Sequence, residues 1–329
     1  MLEKINDLPL QLEKAWTGLW TQNLPFDINN FNRILIIGMG GSGIAGMLLK
    51  DYCQNSSIQI DTWADYQLPA WADQKTLIIA VSYSGDTEET LDAVKSAVAK
   101  KLTVFAITKG GKLAEMAKKE GFAVLKINYE SSPRSAIGFL YGSLLTLASK
   151  LKIIELTEKD YFDALKELSL QVKDDKFNEQ AKQLAMSINN KLPIVISYAP
   201  LLAVTKRWSN QLNENSNSFA FALSLPELSH NFIAGLENPF PEKTVVIYLE
   251  SKYAFSRNVA RTKILQQVLA KNQVTVIPLE LNSNSQLIEQ LLYIYLGDLV
   301  SYYLAGIYGV DPTPVEPIQF LKEGLAKSL

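Results

Sequence analysis

The sequence predicts an α/β fold of two tandem doubly wound domains, each a parallel sheet flanked by helices. Three observations carry that expectation. Short β-rich apolar runs alternate with longer helical patterns along the chain. The runs are apolar at nearly every position, as strands covered on both faces must be. The second half also repeats the plan of the first. "PIVISYAP" (193–200) resembles "RILIIGMG", "TVVIYLES" (244–251) lines up with "TLIIAVSY" (76–83), and "VTVIPLE" (274–280) lines up with "LTVFAIT" (102–108). A chain of 329 residues also exceeds the size at which single cores usually split.

The N-terminal "MLEKINDLPLQLEKAWTGLW" is amphipathic and carries acids, with neither the basic start nor the apolar centre of a leader peptide. "RILIIG" (33–38) is a buried strand followed by a glycine-rich turn and the helical "GIAGMLLKDY". "SIQID", ending at Asp61, is the next strand. "TLIIAVS" (76–82) leads into "TEETLDAVKSAVAKK", whose Glu88 and Glu89 suit the positive end of a helix. "LTVFAIT" (102–108) precedes "KLAEMAKKEG", which ends in a glycine stop. The join between repeats is expected in the helical region after Pro133, around residues 150–175, which gives domains 1–152 and 153–329. The long helical patterns "QLIEQLLYIYLGDLVSYYLAG" and "PVEPIQFLKEGLAKSL" follow the last strand.

Composition excludes several classes. Hydrophobic residues make up 47% and charged residues 20%, the balance of an ordinary globular protein. Net charge is −2 and no Lys/Arg block dominates, so neither nucleic acid nor an anionic membrane is the expected partner. Cys53 is the only cysteine and His230 the only histidine, which leaves no disulfide framework and no ligand set for a transition metal. No run of about 18 uninterrupted apolar residues occurs, so no membrane span is expected, and the cytoplasm is the plain placement.

Two loops carry chemistry. "GMGGSG" sets Gly38, Gly40 and Gly43 in G-x-G-x-x-G spacing between a strand and a helix, and Asp61 ends the next strand. That is close to the dinucleotide fingerprint, so an NAD(P)-binding enzyme is a rival reading. Such a turn serves a phosphate in either case, because its amides and the helix dipole face an anion. The second loop, "YSGDTEET", adds Ser84, Gly85 and Thr87 after Ser82 at the end of its strand. Hydroxyl donors beside free helix amides make a compact site for a phosphate monoester, which a dinucleotide enzyme does not need there. Helix capping explains one of these hydroxyls but not all.

"GMGGSG" followed by "SYSGDTEET" resembles the sugar isomerase (SIS) domain. With "SSPRSAIGF" (131–139), "NENS" (213–216), "PELSHN" (226–231) and "DPTPVEPIQFLK" (311–322), the chain is similar to the bifunctional phosphoglucose/phosphomannose isomerases from about residue 30 onward. The resemblance implies two SIS domains, a homodimer and no cofactor. It implies interconversion of glucose 6-phosphate, with mannose 6-phosphate as the second epimer, and fructose 6-phosphate through a cis-enediol. Gly41, Ser42, Ser82, Ser84 and Thr87 then match positions that hold the sugar phosphate. Arg134 matches an arginine near C1 and C2, and Glu214 the base that moves the proton between them. His230 matches the ring-opening histidine, which the neighbouring subunit supplies, and Lys322 a lysine at the sugar. Thr313 aligns only loosely with a substrate-contacting threonine.

The chemistry asks for these residue types. A closed ring opens when one group protonates the ring oxygen while another removes the hydroxyl proton, and an imidazole titrating near neutrality suits that step. A partly desolvated carboxylate is a stronger base toward the weakly acidic C2 proton. A fixed guanidinium stabilises the charge of the enediol. The chain departs from the family where Phe232 follows Asn231 in place of an acid, a change that bears on substrate rather than fold; Glu227 and Glu237 are the nearby carboxylates. A non-catalytic sugar-phosphate-binding SIS protein is the alternative from a different functional class.

Overall fold

The computed structural model describes residues 1–237, 240–281 and 283–327. Helices α1 (Leu2–Asn6) and α2 (Leu8–Trp20) precede the first sheet. That unit runs β1 (Arg33–Ile37), α3 (Gly40–Tyr52), β2 (Gln59–Trp63), β3 (Thr76–Ser82), α4 (Glu88–Ala99), β4 (Val104–Thr108), α5 (Gly111–Glu120) and β5 (Ala123–Lys126). A short 3-10 turn, Pro133–Ala136, opens α6 (Ile137–Lys150). The connecting helices α7 (Glu158–Val172) and α8 (Asp175–Ile188) lead to β6 (Leu192–Ser197), α9 (Leu202–Ser216), β7 (Phe221–Ser224), β8 (Thr244–Glu250), α10 (Ser256–Lys271) and β9 (Thr275–Glu280). The described chain closes with α11 (Gln286–Tyr308) and α12 (Glu316–Lys327).

Both sheets are parallel. The first has strand order β2-β1-β3-β4-β5 and the second β7-β6-β8-β9. The second repeats the first without its last strand, so β6 and β8 correspond to β1 and β3. Side chains alternate across each strand with the period of the pleat. Ile34 and Ile36 face a large central core, while Leu35 and Ile37 face α4 and α5 on the outer side. In the second sheet Val195, Val245 and Ile247 join the same central core, while Ile194, Ile196 and Val246 pack outward with Leu265 and Leu269 of α10. One continuous core therefore lies between the sheets, filled by α2, α3, α6, α9 and α11.

The two short strands β5 and β7 were not expected from sequence. "AVLK" and "FALS" lie at sheet edges and lack a β-branched run. α11 is long and apolar enough to cross a membrane by length and composition. It is instead the central core helix. Its buried polar residues Glu289, Gln290, Asp298 and Ser301 all have internal partners, as burial demands.

The helix after β6 is capped from the other unit. Asp51, in the last turns of α3, accepts a hydrogen bond from the Ala203 amide at 2.7 Å. The loop after β8 is filled in the same way. Glu289 accepts from the Ser251 hydroxyl at 2.5 Å and from the Lys252 amide at 3.3 Å. Carboxylates thus occupy the helix terminus and the loop that the strand order places at the crevice of the second sheet.

Candidate active site

In the first sheet the order reverses direction between β1 and β3, so the loops after these strands open on one crevice. α3 starts at Gly40 and α4 at Glu88, and neither has a side-chain cap. Their first amides are therefore available to a ligand. The cleft, of about 480 Å³, is lined by Gly41, Ser42, Ser84, Thr87, Arg134, Glu214 and Lys322, together with Tyr83 and Gln319.

Each loop is tied into place. Ser42 is buried and its Oγ accepts the Tyr83 amide at 3.3 Å, joining the two loops. Gly85 has φ +79°, and a Cβ there would lie 1.8 Å from the Gly110 carbonyl, so only glycine fits. Gly41 approaches the next wall of the cleft: a Cβ would stand 3.1 Å from Arg134 Cα and 3.2 Å from the Pro133 carbonyl. The Tyr83 hydroxyl donates to the Tyr129 carbonyl at 2.5 Å and accepts the Ser131 amide at 2.9 Å, which steers the chain toward Arg134. Gln11 of α2 accepts the Gly138 amide and donates to the Ser135 carbonyl, fixing the turn from the far side.

Arg134 is buried. Its Nε donates to Asn215 Oδ1 at 2.7 Å, and its Nη2 donates to the carbonyls of Pro312 at 2.6 Å and Thr313 at 2.9 Å. Nη1 stands 3.9 Å from Glu214 Oε2. Behind them lies a buried ion pair: Arg207 Nε and Nη2 donate to the two carboxylate oxygens of Asp298 at 3.0 and 2.6 Å. Arg207 Nη2 also donates to the Arg134 carbonyl at 3.0 Å. Burial raises the Glu214 carboxyl from its ordinary value, with Arg134 and then Arg207 pulling the other way. Glu214 sits in the last turn of α9, where the negative end of the helix also disfavours its charged form.

The structure thus brings together Gly41, Ser42, Ser84, Thr87, Arg134, Glu214 and Lys322. It does not bring Ser82 or His230 to the cleft wall. Ser82 Oγ is spent inside the loop, 3.0 Å from Thr87 Oγ1 and accepting the Gly85 amide at 3.1 Å. Ser82 therefore builds the loop instead of facing the cleft. His230 is exposed on a short 3-10 turn, Glu227–His230, at the edge of the second sheet. Glu227 accepts from the Asn231 side chain at 2.9 Å, and Phe232 packs against the outer core of that sheet. Thr313 serves Arg134 through its backbone carbonyl. Lys322 is exposed on α12, which covers one side of the cleft with Ile318 and Gln319, beside the preceding Val315.

Asp61 does not fit the dinucleotide fingerprint. It is mid-strand in β2, and its carboxylate accepts from Lys50 at 2.8 Å and from Gln59 at 2.6 Å. Sequence reasoning missed Asn215, Arg207, Asp298 and Tyr83. One signal was present: Asp298 interrupts a long apolar helix, and a buried carboxylate needs a cationic partner.

Comparison with known proteins gives concordant matches. Residues 27–150 match the SIS domain, and residues 177–325 match the bacterial phospho-glucose isomerase C-terminal SIS domain. The chain is 37% identical to the bifunctional phosphoglucose/phosphomannose isomerase of Caldicellulosiruptor bescii, over 99% of each chain. It is 34% identical to that of Aquifex aeolicus, over 96% of this chain and 99% of the relative. Among solved structures it resembles tagatose-6-phosphate ketose/aldose isomerase from Escherichia coli, with a TM-score of 0.74 at 16% identity over 94% of this chain and 93% of the other. The C-terminal domain of glucosamine-fructose-6-phosphate aminotransferase from Francisella tularensis also aligns, with a TM-score of 0.74 at 15% identity over 95% and 97% of the two chains. At such identities these two structures bear on the fold alone.

Proposed function

We propose how this site works from the premise that the chain belongs to the bifunctional phosphoglucose/phosphomannose isomerase family. It is an aldose–ketose isomerase that interconverts glucose 6-phosphate and mannose 6-phosphate with fructose 6-phosphate through a cis-enediol. The observation that carries the mechanism is the meeting of Arg134 and Glu214, from separate segments, at the mouth of two uncapped helix termini.

The phosphate sits against the first amides of α3 and α4, with the hydroxyls of Ser42, Ser84 and Thr87 and the close backbone of Gly41 around it. Ser82 supports this cradle by shaping the loop. The sugar then extends toward Arg134 and Glu214. Glu214 takes the proton from C2 and returns it to C1, and its desolvation makes it a better base. Arg134 Nη1 faces the C1 and C2 oxygens and stabilises the charge that develops on them. Lys322 approaches the sugar from α12. No step in this scheme calls on a cofactor.

Ring opening falls to His230. Its place outside the lining of its own chain's cleft and its exposure support donation to the neighbouring subunit's site in a cytoplasmic homodimer. We assign residues 1–152 to the phosphate-binding domain and 153–329 to the domain that carries Glu214 and His230. The test is a coupled assay on purified protein with fructose 6-phosphate, reading glucose 6-phosphate and mannose 6-phosphate separately. Formation of both epimers is expected. A thermal shift by fructose 6-phosphate without turnover would overturn the catalytic reading in favour of a sugar-phosphate sensor.

A further inference from the structure

Arg134 has five N–H donors in a planar fork. Three are directed at fixed protein acceptors: Asn215 Oδ1 and the carbonyls of Pro312 and Thr313. The two on Nη1 are left on the side of the cleft and Glu214. Asn215 is itself locked. Its Nδ2 donates to Ser301 Oγ at 2.9 Å, while the Ser301 hydroxyl donates to the Asp298 carbonyl at 2.8 Å. Ser301 can then only accept from Asn215, so the amide oxygen must point at Arg134. Asp298 holds Arg207, and Arg207 returns to the backbone carbonyl of Arg134. The hydrogen bonds form a closed ring that begins at the guanidinium and ends on the same residue's main chain. All its members are buried.

We propose that Asn215 is a positioning residue that keeps Arg134 and Glu214 apart, holding the guanidinium so that Nη1 faces the cleft and leaving the neighbouring carboxylate free to take a proton. This rests on the reading of Glu214 as the base. The 3.9 Å gap from Nη1 to Glu214 lies beyond hydrogen-bond reach, although the two charges are neighbours and both half-buried or deeper. A guanidinium held only through Nη2, without the Asn215 bond to Nε, would pivot to close that gap. The closer, hydrogen-bonded pair so formed would lower the carboxylate's proton affinity further than the present 3.9 Å contact does and remove the donor from the substrate oxygens. Asn215 prevents this with a neutral acceptor, which fixes the fork without adding a competing charge.

The experiment is the pH dependence of kcat and KM for fructose 6-phosphate in Asn215→Ala, Ser301→Ala and Glu214→Gln beside the unaltered enzyme. In Asn215→Ala, kcat should fall about 100-fold, a loss of the size expected for disabling a general base, with KM within about threefold. The acidic limb of the profile should also move about one unit toward lower pH, because the base is now paired. Ser301→Ala frees the amide to flip and should shift the limb in the same direction by less. It carries the test if Asn215→Ala does not fold. A folded variant whose limb stays in place, or whose loss lies in KM alone, overturns the positioning role. Normal turnover in Glu214→Gln overturns the underlying reading instead. An inactive Glu214→Gln beside an unmoved limb overturns only the role of Asn215.

Discussion

The carboxylate of Asp51, on a helix of the first unit, caps the α9 helix of the second through the Ala203 amide at 2.7 Å. That bond joins the helix that opens at the Gly40–Ser42 wall of the cleft to the helix that carries Arg207, Glu214 and Asn215. Burial pushes the Asp51 carboxyl up to about 7, against the opposing pull of the Ala203 bond, the charge of Lys50 and the Leu202 amide. A carboxyl whose folded value lies above its unfolded one stabilises most at low pH and loses that contribution as pH rises. The window runs from about 4 to about 7. Urea unfolding of Asp51→Asn beside the unaltered protein should show the variant gaining on it across that window by a few kcal/mol, with a constant difference on either side. Parallel curves from pH 4 to pH 8 would refute the assignment.

Glu214→Gln should stop exchange of the C2 proton with solvent and lower kcat by about 10²–10⁴-fold, the usual worth of a positioned general base. Binding should survive, since the proposed phosphate cradle is built from other residues. Isothermal titration with fructose 6-phosphate and proton-exchange NMR separate these effects. In the unaltered enzyme, burial of the Glu214 carboxyl should move the acidic limb of kcat/KM upward from where a solvated glutamate would set it.

His230 offers a test of subunit donation. Glu214→Gln and His230→Ala protomers should each be inactive on closed-ring substrate. If the imidazole acts across the dimer, a mixed dimer holds one site with both groups intact. Randomly paired equimolar subunits should then recover about a quarter of normal activity. If the imidazole acts within its own chain, mixing recovers nothing. His230→Ala should also be hurt more on closed-ring than on open-chain substrate.

The Arg207–Asp298 pair is a separate matter of stability against placement. Asp298→Ala leaves a buried guanidinium unpaired and should cost about 3–5 kcal/mol. Replacing both, Arg207→Met with Asp298→Leu, should return most of the stability. It should not return activity, because the Arg134 carbonyl loses its anchor. Full activity in the double variant would make the pair purely structural.

Gly41→Ala inserts a methyl against the backbone of Arg134, where the nearest atom would be 3.1 Å away. The neighbouring turn must shift, at about 1–3 kcal/mol. The loss should appear mainly in kcat, about tenfold, since Arg134 moves with that turn. A drop in thermal stability with unchanged kcat would show that the turn gives without moving the guanidinium.

Much of the fold was legible because buried parallel strands leave a plain trace. "TLIIAVS" and "TVVIYLE" became β3 and β8, and the repeat they suggested is the repeat of strand order. Edge strands β5 and β7 carry no such trace. That the two glycine- and hydroxyl-rich loops share one cleft was legible from their spacing, although Ser82 turns its hydroxyl inward to Thr87 and Gly85. No spacing distinguishes a serine that builds a loop from one that faces its ligand. Asn215 and Arg207 were invisible for another reason. In sequence they belong to a polar helix that reads as exposed. Only its crossing against α11 buries that polar face and pairs it with Asp298 and Ser301.

The filled crevice of the second sheet has a consequence for stoichiometry. Two homologous cradles would ordinarily take two anions per chain. Here the carboxyl groups of Asp51 and Glu289 are tethered acceptors, held against the second cradle's donors by the chain itself. The chain's own side chains thus fill the place where a second anion would sit. A titration should therefore count one sugar phosphate per chain. The repeat cannot be returned to two sites without cutting the bond that holds its halves in register.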